Sequence, residues 1–148
     1  MRFIVYGAGA IGGVLGGRLF QAGEDVVLIA RGPHHDAIED HGLTIECPTG
    51  TVTLPVPVVD HPSRISFTTD DVVLLAVKGQ HTGAAIDALD AAVGGPIPIV
   101  SLQNGLENER RLLRTFPDVY PVCVMMPATH LEPGVVQASS TPTEGILD

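Results

Sequence analysis

Six residues near the amino terminus, Gly7-Ala8-Gly9-Ala10-Ile11-Gly12, have the spacing that lets a backbone cradle phosphate. Each glycine has a separate task in that chemistry. Gly7 permits a tight turn, Gly9 lets the backbone approach a pyrophosphate, and Gly12 allows close packing of a helix on a strand. A helix opening at this point also offers unpaired N–H groups to phosphate oxygens. A tightly packed helix with no ligand would use the same glycines. Gly13, Gly16 and Gly17 extend the small-residue face, at up to ~1 kcal/mol of helix propensity each. That cost is expected where bulk would block a sheet or a ligand.

Three further polar positions fall where such a ligand would continue. A fold that binds NAD places Asp or Glu about 20 residues after the glycines, at the carboxyl end of the second strand. Here that end reads Ala30-Arg31-Gly32, while Glu24 and Asp25 stand before the strand, at the wrong end. An Arg at this place suits a 2′-phosphate through a charge-assisted contact, so NADP(H) is the expected cofactor. A surface Arg paired with a carboxylate is the plainer use of the same residue. Lys78, the one lysine of the chain, follows an apolar run in Val77-Lys78-Gly79-Gln80-His81-Thr82. Asn104 follows another, in Ser101-Leu102-Gln103-Asn104-Gly105. Its amide can donate and accept toward a ribose or substrate, although Asn-Gly is equally a turn signal.

The elements that must position these residues alternate in type. Phe3–Tyr6 and Val26–Ala30 read as short buried strands on either side of a helix over Ala10–Ala22, with Ile11, Leu15 and Leu19 on one face and Gly23 as its stop. From Gly32 to about Asp70 the pattern loosens. His34–His41 could form a short helix, and Leu43–Cys47 with Val52–Leu54 a small hairpin in a peripheral insertion or edge segment. Regularity returns with the apolar run Val72–Val77, a helix over Thr82–Val93, a strand over Ile97–Leu102, a helix over Leu106–Thr115 and a strand over Tyr120–Met125. Val135–Ser139 and Gly145–Leu147 suggest two more strands. This alternation predicts an α/β fold with a Rossmann-type, mostly parallel doubly wound sheet and helices on both faces. Ligands in such sheets bind outside the carboxyl ends of the strands, where Lys78 and Asn104 stand.

Composition narrows the partners. The 148 residues carry 17 acidic against 8 basic side chains, a net charge of −9. This is unsuited to nucleic acid or an anionic membrane, which need clustered Lys and Arg. No run approaches the ~20 apolar residues that span a bilayer. Cys47 and Cys123 lack metal-ligand or disulfide-framework spacing and are expected as buried reduced thiols in a cytoplasmic protein. The histidines are scattered without a paired motif, so no metal site is expected and surface or loop positions are. The final strand-like segment runs into Asp148. Residues 1–148 are therefore expected to be one domain of a longer protein.

Taken together, Gly7–Gly12, Ile29-Ala30-Arg31-Gly32, Val77-Lys78 and Gln103-Asn104-Gly105 resemble the amino-terminal domain of the ketopantoate reductase (2-dehydropantoate 2-reductase) family over nearly the whole chain. The resemblance implies that the glycine turn binds NADPH phosphates and Arg31 the 2′-phosphate, with Lys78 and Asn104 beside cofactor and substrate. It implies hydride transfer to the keto carbon of ketopantoate, giving pantoate, in pantothenate and coenzyme A biosynthesis. The family's general-acid Lys belongs to a carboxyl-terminal helical domain that nothing here matches, so no catalytic residue is expected in these residues and the chain alone is expected to be inactive. Family members often read Lys-x-x-Gln-Thr where this chain has Lys78-Gly79-Gln80-His81-Thr82, which puts the exact 2-oxo acid in question. Another 2-oxo acid or opine-type substrate, or a non-catalytic NADP(H)-sensing module, are the alternatives. The sequence leaves oligomeric state open.

Overall fold

A computed structural model describes residues 1–105 and 107–148. The chain opens with β1 (Arg2–Tyr6), runs through α1 (Ala10–Gln21) into β2 (Asp25–Ile29) and continues with α2 (Pro33–His41). The hairpin β3 (Leu43–Cys47) and β4 (Gly50–Leu54) follows, then the short β5 (Val58–Val59). Next come β6 (Asp71–Leu75), α3 (Thr82–Val93), β7 (Ile99–Ser101), α4 (Glu107–Leu112) and β8 (Val119–Pro121). Four short strands end the chain: β9 (Val124–Met125), β10 (Ala128–Glu132), β11 (Val135–Ala138) and β12 (Ile146–Leu147). Leu106, the expected first residue of the fourth helix, lies outside the described residues. Among those described, no helix is long and apolar enough to cross a membrane.

The main sheet has six strands in the order β5-β2-β1-β6-β7-β8, all parallel. Its central strands are continuous apolar runs because both faces are covered. On one face Ile4, Val73, Leu75 and Ile99 pack with Ile86 and Leu89 of α3 and Leu112 of α4. On the other, Val5, Leu28 and Leu74 pack beneath Val14 of α1. The expected doubly wound α/β sheet with helices on both faces is present. The order reverses between β1 and β6, so the crevice of this fold opens at their carboxyl ends, after Tyr6 and Leu75.

A second sheet, β10-β11-β3-β4, was not anticipated. The hairpin expected at the periphery is a core element: Leu43 and Ile45 are fully buried, and β3 pairs in parallel with β11 from the far end of the chain. α1 lies between the two sheets. A Cβ on Gly16 would come 2.7 Å from Leu28 of the first sheet, and a Cβ on Gly13 would come 2.7 Å from Val136 of the second. Gly17 would meet Ile45 at 2.5 Å. The glycines are therefore the buried faces of α1, whereas Ile11, Leu15 and Leu19 are only half-buried. The helix stops as expected, with the Gly23 and Glu24 amides donating to the Phe20 and Leu19 carbonyls in a Schellman pattern.

The expected strand over Tyr120–Met125 is split. β7 ends at Ser101, so the chain beyond Val122 has no neighbour in the main sheet, and β9 pairs with β12 instead. Nor are the cysteines both buried, since Cys47 is half-buried and Cys123 exposed.

Candidate functional site

The glycine turn leaves β1 at Gly7, whose φ of +105° only glycine adopts readily. A side chain there would also strike the backbone of Val77 at 2.8 Å, so the segments that follow β1 and β6 approach closely because Gly7 has none. A Cβ on Gly12 would collide with the Gly7 carbonyl and crowd Ala76 and Val5. Gly9 is different, because a Cβ there would meet nothing within 4 Å. Gly7 and Gly12 are thus small for the protein's own packing, while the space beside Gly9 lies outside it. The Gly7 and Ala8 amides donate to the Ile29 carbonyl at 3.0 and 3.3 Å, fastening the turn to β2. Among the described residues, the amides of Gly9, Ala10, Ile11 and Gly12 have no backbone acceptor, as expected at a helix start without a side-chain cap.

Around this turn lies an open cleft of about 360 Å³. Gly7, Ala8 and Gly9 form one wall, Ala30 and Arg31 another, and Val77, Lys78 and His81 a third. His34, His130 and Tyr6 also line it, and none of the lining residues is Asp or Glu. In a chain of net charge −9, an acid-free cleft bordered by Arg31 and Lys78 is a local inversion of the overall balance. Arg31 is exposed and has no carboxylate partner among the described residues. Burial pushes the Tyr6 hydroxyl above its ordinary range, and the nearby Arg31 charge opposes that shift. Glu24 and Asp25 lie at the opposite end of β2.

Of the residues expected to form the site, the cleft brings together Gly7, Ala8, Gly9, Arg31 and Lys78. Ala10, Ile11 and Gly12 stand behind it in the first turn of α1. Asn104 does not line it. That residue borders a second concavity of about 320 Å³ at the ends of β7 and β8, with Pro121, Val122 and Cys123. The two are joined by a buried amide network. Gln103 donates through Nε2 to the Val77 carbonyl at 2.6 Å and to Thr82 Oγ1 at 2.8 Å. Thr82 donates to Asn108 Oδ1, and Asn108 Nδ2 donates to the Asn104 carbonyl at 3.4 Å. The backbone segments carrying Lys78 and Asn104 are therefore held at a set separation.

His34 is the residue that sequence reasoning missed. It was expected at the surface as one of the scattered histidines, yet it is buried in the first turn of α2. Its Nε2 donates to the Ala8 carbonyl at 2.7 Å, and its Nδ1 accepts the Gly134 amide at 2.9 Å. The His130 ring lies against it, with centroids 4.0 Å apart. Burial lowers the His34 pKa below its ordinary 6.5, with the Ala8 hydrogen bond opposing and the His130 charge adding to the shift. Its one signal in sequence was position. Pro33 marks a helix start immediately after the Arg31 strand end, which places the next residue at the ligand rim.

A glycine turn between parallel strands, at the point where a 3-2-1-4-5-6 strand order reverses, defines a Rossmann-type dinucleotide-fold domain. The chain belongs to the ketopantoate reductase PanE/ApbA family, whose model matches residues 3–144. It is 39% identical to the 2-dehydropantoate 2-reductase of Pyrococcus abyssi over 113 residues, covering 76% of this chain and 36% of that protein. The crystal structure of a PanE/ApbA family ketopantoate reductase from Ralstonia eutropha superposes with a TM-score of 0.85 at 34% identity, covering 93% of this chain and 46% of that one. A D-mandelate dehydrogenase solved with NADH and anilino(oxo)acetate superposes with a TM-score of 0.83 at 26% identity, covering 93% of this chain and 45% of that one. The chain spans less than half the length of each of these proteins.

Proposed function

We propose that these residues form the NADPH-binding domain of a 2-dehydropantoate 2-reductase-like oxidoreductase. The observation that carries the reading is the acid-free cleft around the glycine turn, bordered by Arg31 and Lys78 in a strongly acidic chain. The residues present fit a dinucleotide. Gly9 leaves space where a phosphate would approach, and among the described residues the amides at the start of α1 have no backbone acceptor or side-chain cap. In this reading Gly7, Ala8, Gly9, Ala10, Ile11 and Gly12 hold the pyrophosphate and Arg31 holds the 2′-phosphate. Lys78 takes the nicotinamide ribose, and Asn104 takes the ribose and the substrate edge from the neighbouring concavity. When bound, the cofactor supplies hydride to the keto carbon of a 2-oxo acid, ketopantoate, giving pantoate. The chain's own residues bind and orient. The general acid and most substrate contacts come from a carboxyl-terminal helical domain of the longer protein, as the length of the relatives supports.

Arg31→Ala is expected to weaken NADPH far more than NADH in fluorescence titrations, and equal loss for both would sink the 2′-phosphate assignment. Likeness to a D-mandelate dehydrogenase solved with NADH favours a second reading, in which another 2-oxo acid and NADH are used. Turnover of the complete protein with a panel of 2-oxo acids and both cofactors separates the two.

A further inference from the structure

His34 belongs to neither the glycine turn nor the strand ends, yet its side chain hydrogen-bonds the backbone of the turn. Ala8 sits at the centre of the turn. Its amide is fastened to β2 through the Ile29 carbonyl, and its carbonyl receives the 2.7 Å bond from His34 Nε2 on the other side. A carbonyl can only accept, so Nε2 carries a hydrogen. The Gly134 amide can only donate, so Nδ1 is bare. A single neutral tautomer satisfies both ends. Through it the turn is tied to Gly134, which stands between β10 and β11 of the second sheet.

The peptide plane explains why this bond matters. The Ala8 carbonyl and the Gly9 N–H belong to one planar trans unit and point in opposite directions. Holding the carbonyl against His34 fixes the direction of the Gly9 amide, which has no backbone acceptor among the described residues. Rotation of that plane would present a carbonyl oxygen in its place, repelling an anion.

We infer that His34 is the positioning residue of the dinucleotide turn, bracing the Ala8–Gly9 peptide so that its amide faces the ligand. The inference rests on the proposed dinucleotide reading. Its test uses the two halves of the imidazole separately, in the protein that carries this chain. His34→Gln places an amide nitrogen where Nε2 stands and keeps the donor to Ala8. His34→Asn places an oxygen where Nδ1 stands and keeps only the acceptor for Gly134. NADPH affinity is expected within about threefold of wild type for His34→Gln and about tenfold weaker for His34→Asn and His34→Ala, the effect of one buried hydrogen bond. Hydrogen exchange at the Ala8 amide, measured without cofactor, is expected to speed up in His34→Asn and His34→Ala but not in His34→Gln.

Equal affinity and equal exchange in all variants would overturn the inference, as would rescue by Asn in place of Gln. If Asn and Ala variants fail to fold, His34→Gln decides: wild-type binding and exchange support the brace, and loss of either refutes it. Should the wild type bind neither NADPH nor NADH, the functional reading falls, and the exchange experiment alone decides whether His34 braces the turn.

Discussion

The two sides of the cleft are built by opposite means. On the β1–α1 side, the turn owes its shape to side chains that are missing. Gly7 and Gly12 are small because backbone from the segment after β6 and from the turn itself occupies the space a Cβ would need. On the β6–β7 side, the segments bearing Lys78 and Asn104 owe their spacing to side chains that are present, the amides and hydroxyl of Gln103, Thr82 and Asn108. A steric constraint acts between backbones and tolerates no substitution. A hydrogen-bond network is graded, and loses part of its energy with each member removed.

The sharpest break in this comparison lies within the turn. Gly12→Ala is expected to cost about 3 kcal/mol or more in chemical denaturation, because its Cβ meets the Gly7 carbonyl, which cannot give way as a flexible side chain would. Gly9→Ala, facing open space at a φ of −69°, is expected to change stability by less than about 0.5 kcal/mol while weakening NADPH. A destabilised Gly9→Ala would mean that the open side of the turn is not open. On the other side, Gln103→Leu is expected to cost about 2 kcal/mol, since the Val77 carbonyl and the buried Thr82 hydroxyl lose a donor. Combined with Thr82→Val, the loss should fall short of the sum of the single losses, because both act on one network. Full additivity would show that the network is a set of independent bonds.

The smallest expected effect is a response to acid. His34 has a folded pKa below its ordinary 6.5, so on acidification the unfolded chain takes up this proton first and stability falls progressively below that pH. Asp71 follows. Burial pushes its carboxyl up, but hydrogen bonds from Arg2 and from the Thr68 amide outweigh this and hold it below the ordinary 3.8. Its contribution is present above that value and is lost as pH falls through the folded pKa. Denaturation midpoints should fall less between about pH 7 and about pH 5 in His34→Gln than in wild type, while the loss that follows Asp71 at lower pH should remain. A His34→Gln profile that matches wild type would sever the brace from the acid response.

Much of the main sheet was legible because its signals are local. The apolar runs Phe3–Tyr6, Val72–Val77 and Ile97–Leu102 overlap β1, β6 and β7, and parallel strands buried on both faces read as such runs. The Thr82–Val93 helix and the start of α1 at Ala10 fall where the sequence places them. The second sheet was illegible for the converse reason. Its strands β3 and β11 stand about ninety residues apart, with Thr44 opposite Val135, and no short-range pattern announces a partner at that distance. The candidate site divides the same way. Its glycines and Arg31 could be named from spacing, whereas Asn104 was expected in the same cleft as Lys78 and instead borders its own concavity.

The amino-acid sequence by itself determined the sheet's class, the glycine turn at its first strand–helix junction and the Arg that follows the second strand. Each of these depends on residues within about one strand and one helix of each other, whose backbone preferences act over that range. Tertiary structure decided what surrounds them. It chose which face of α1 is buried, since two sheets close on the glycines from opposite sides. It set Gln103 against Val77 and His34 against Ala8, contacts spanning 26 residues each. Hydrogen bonds of that kind leave no periodicity in the chain, because their geometry exists only once distant elements have packed.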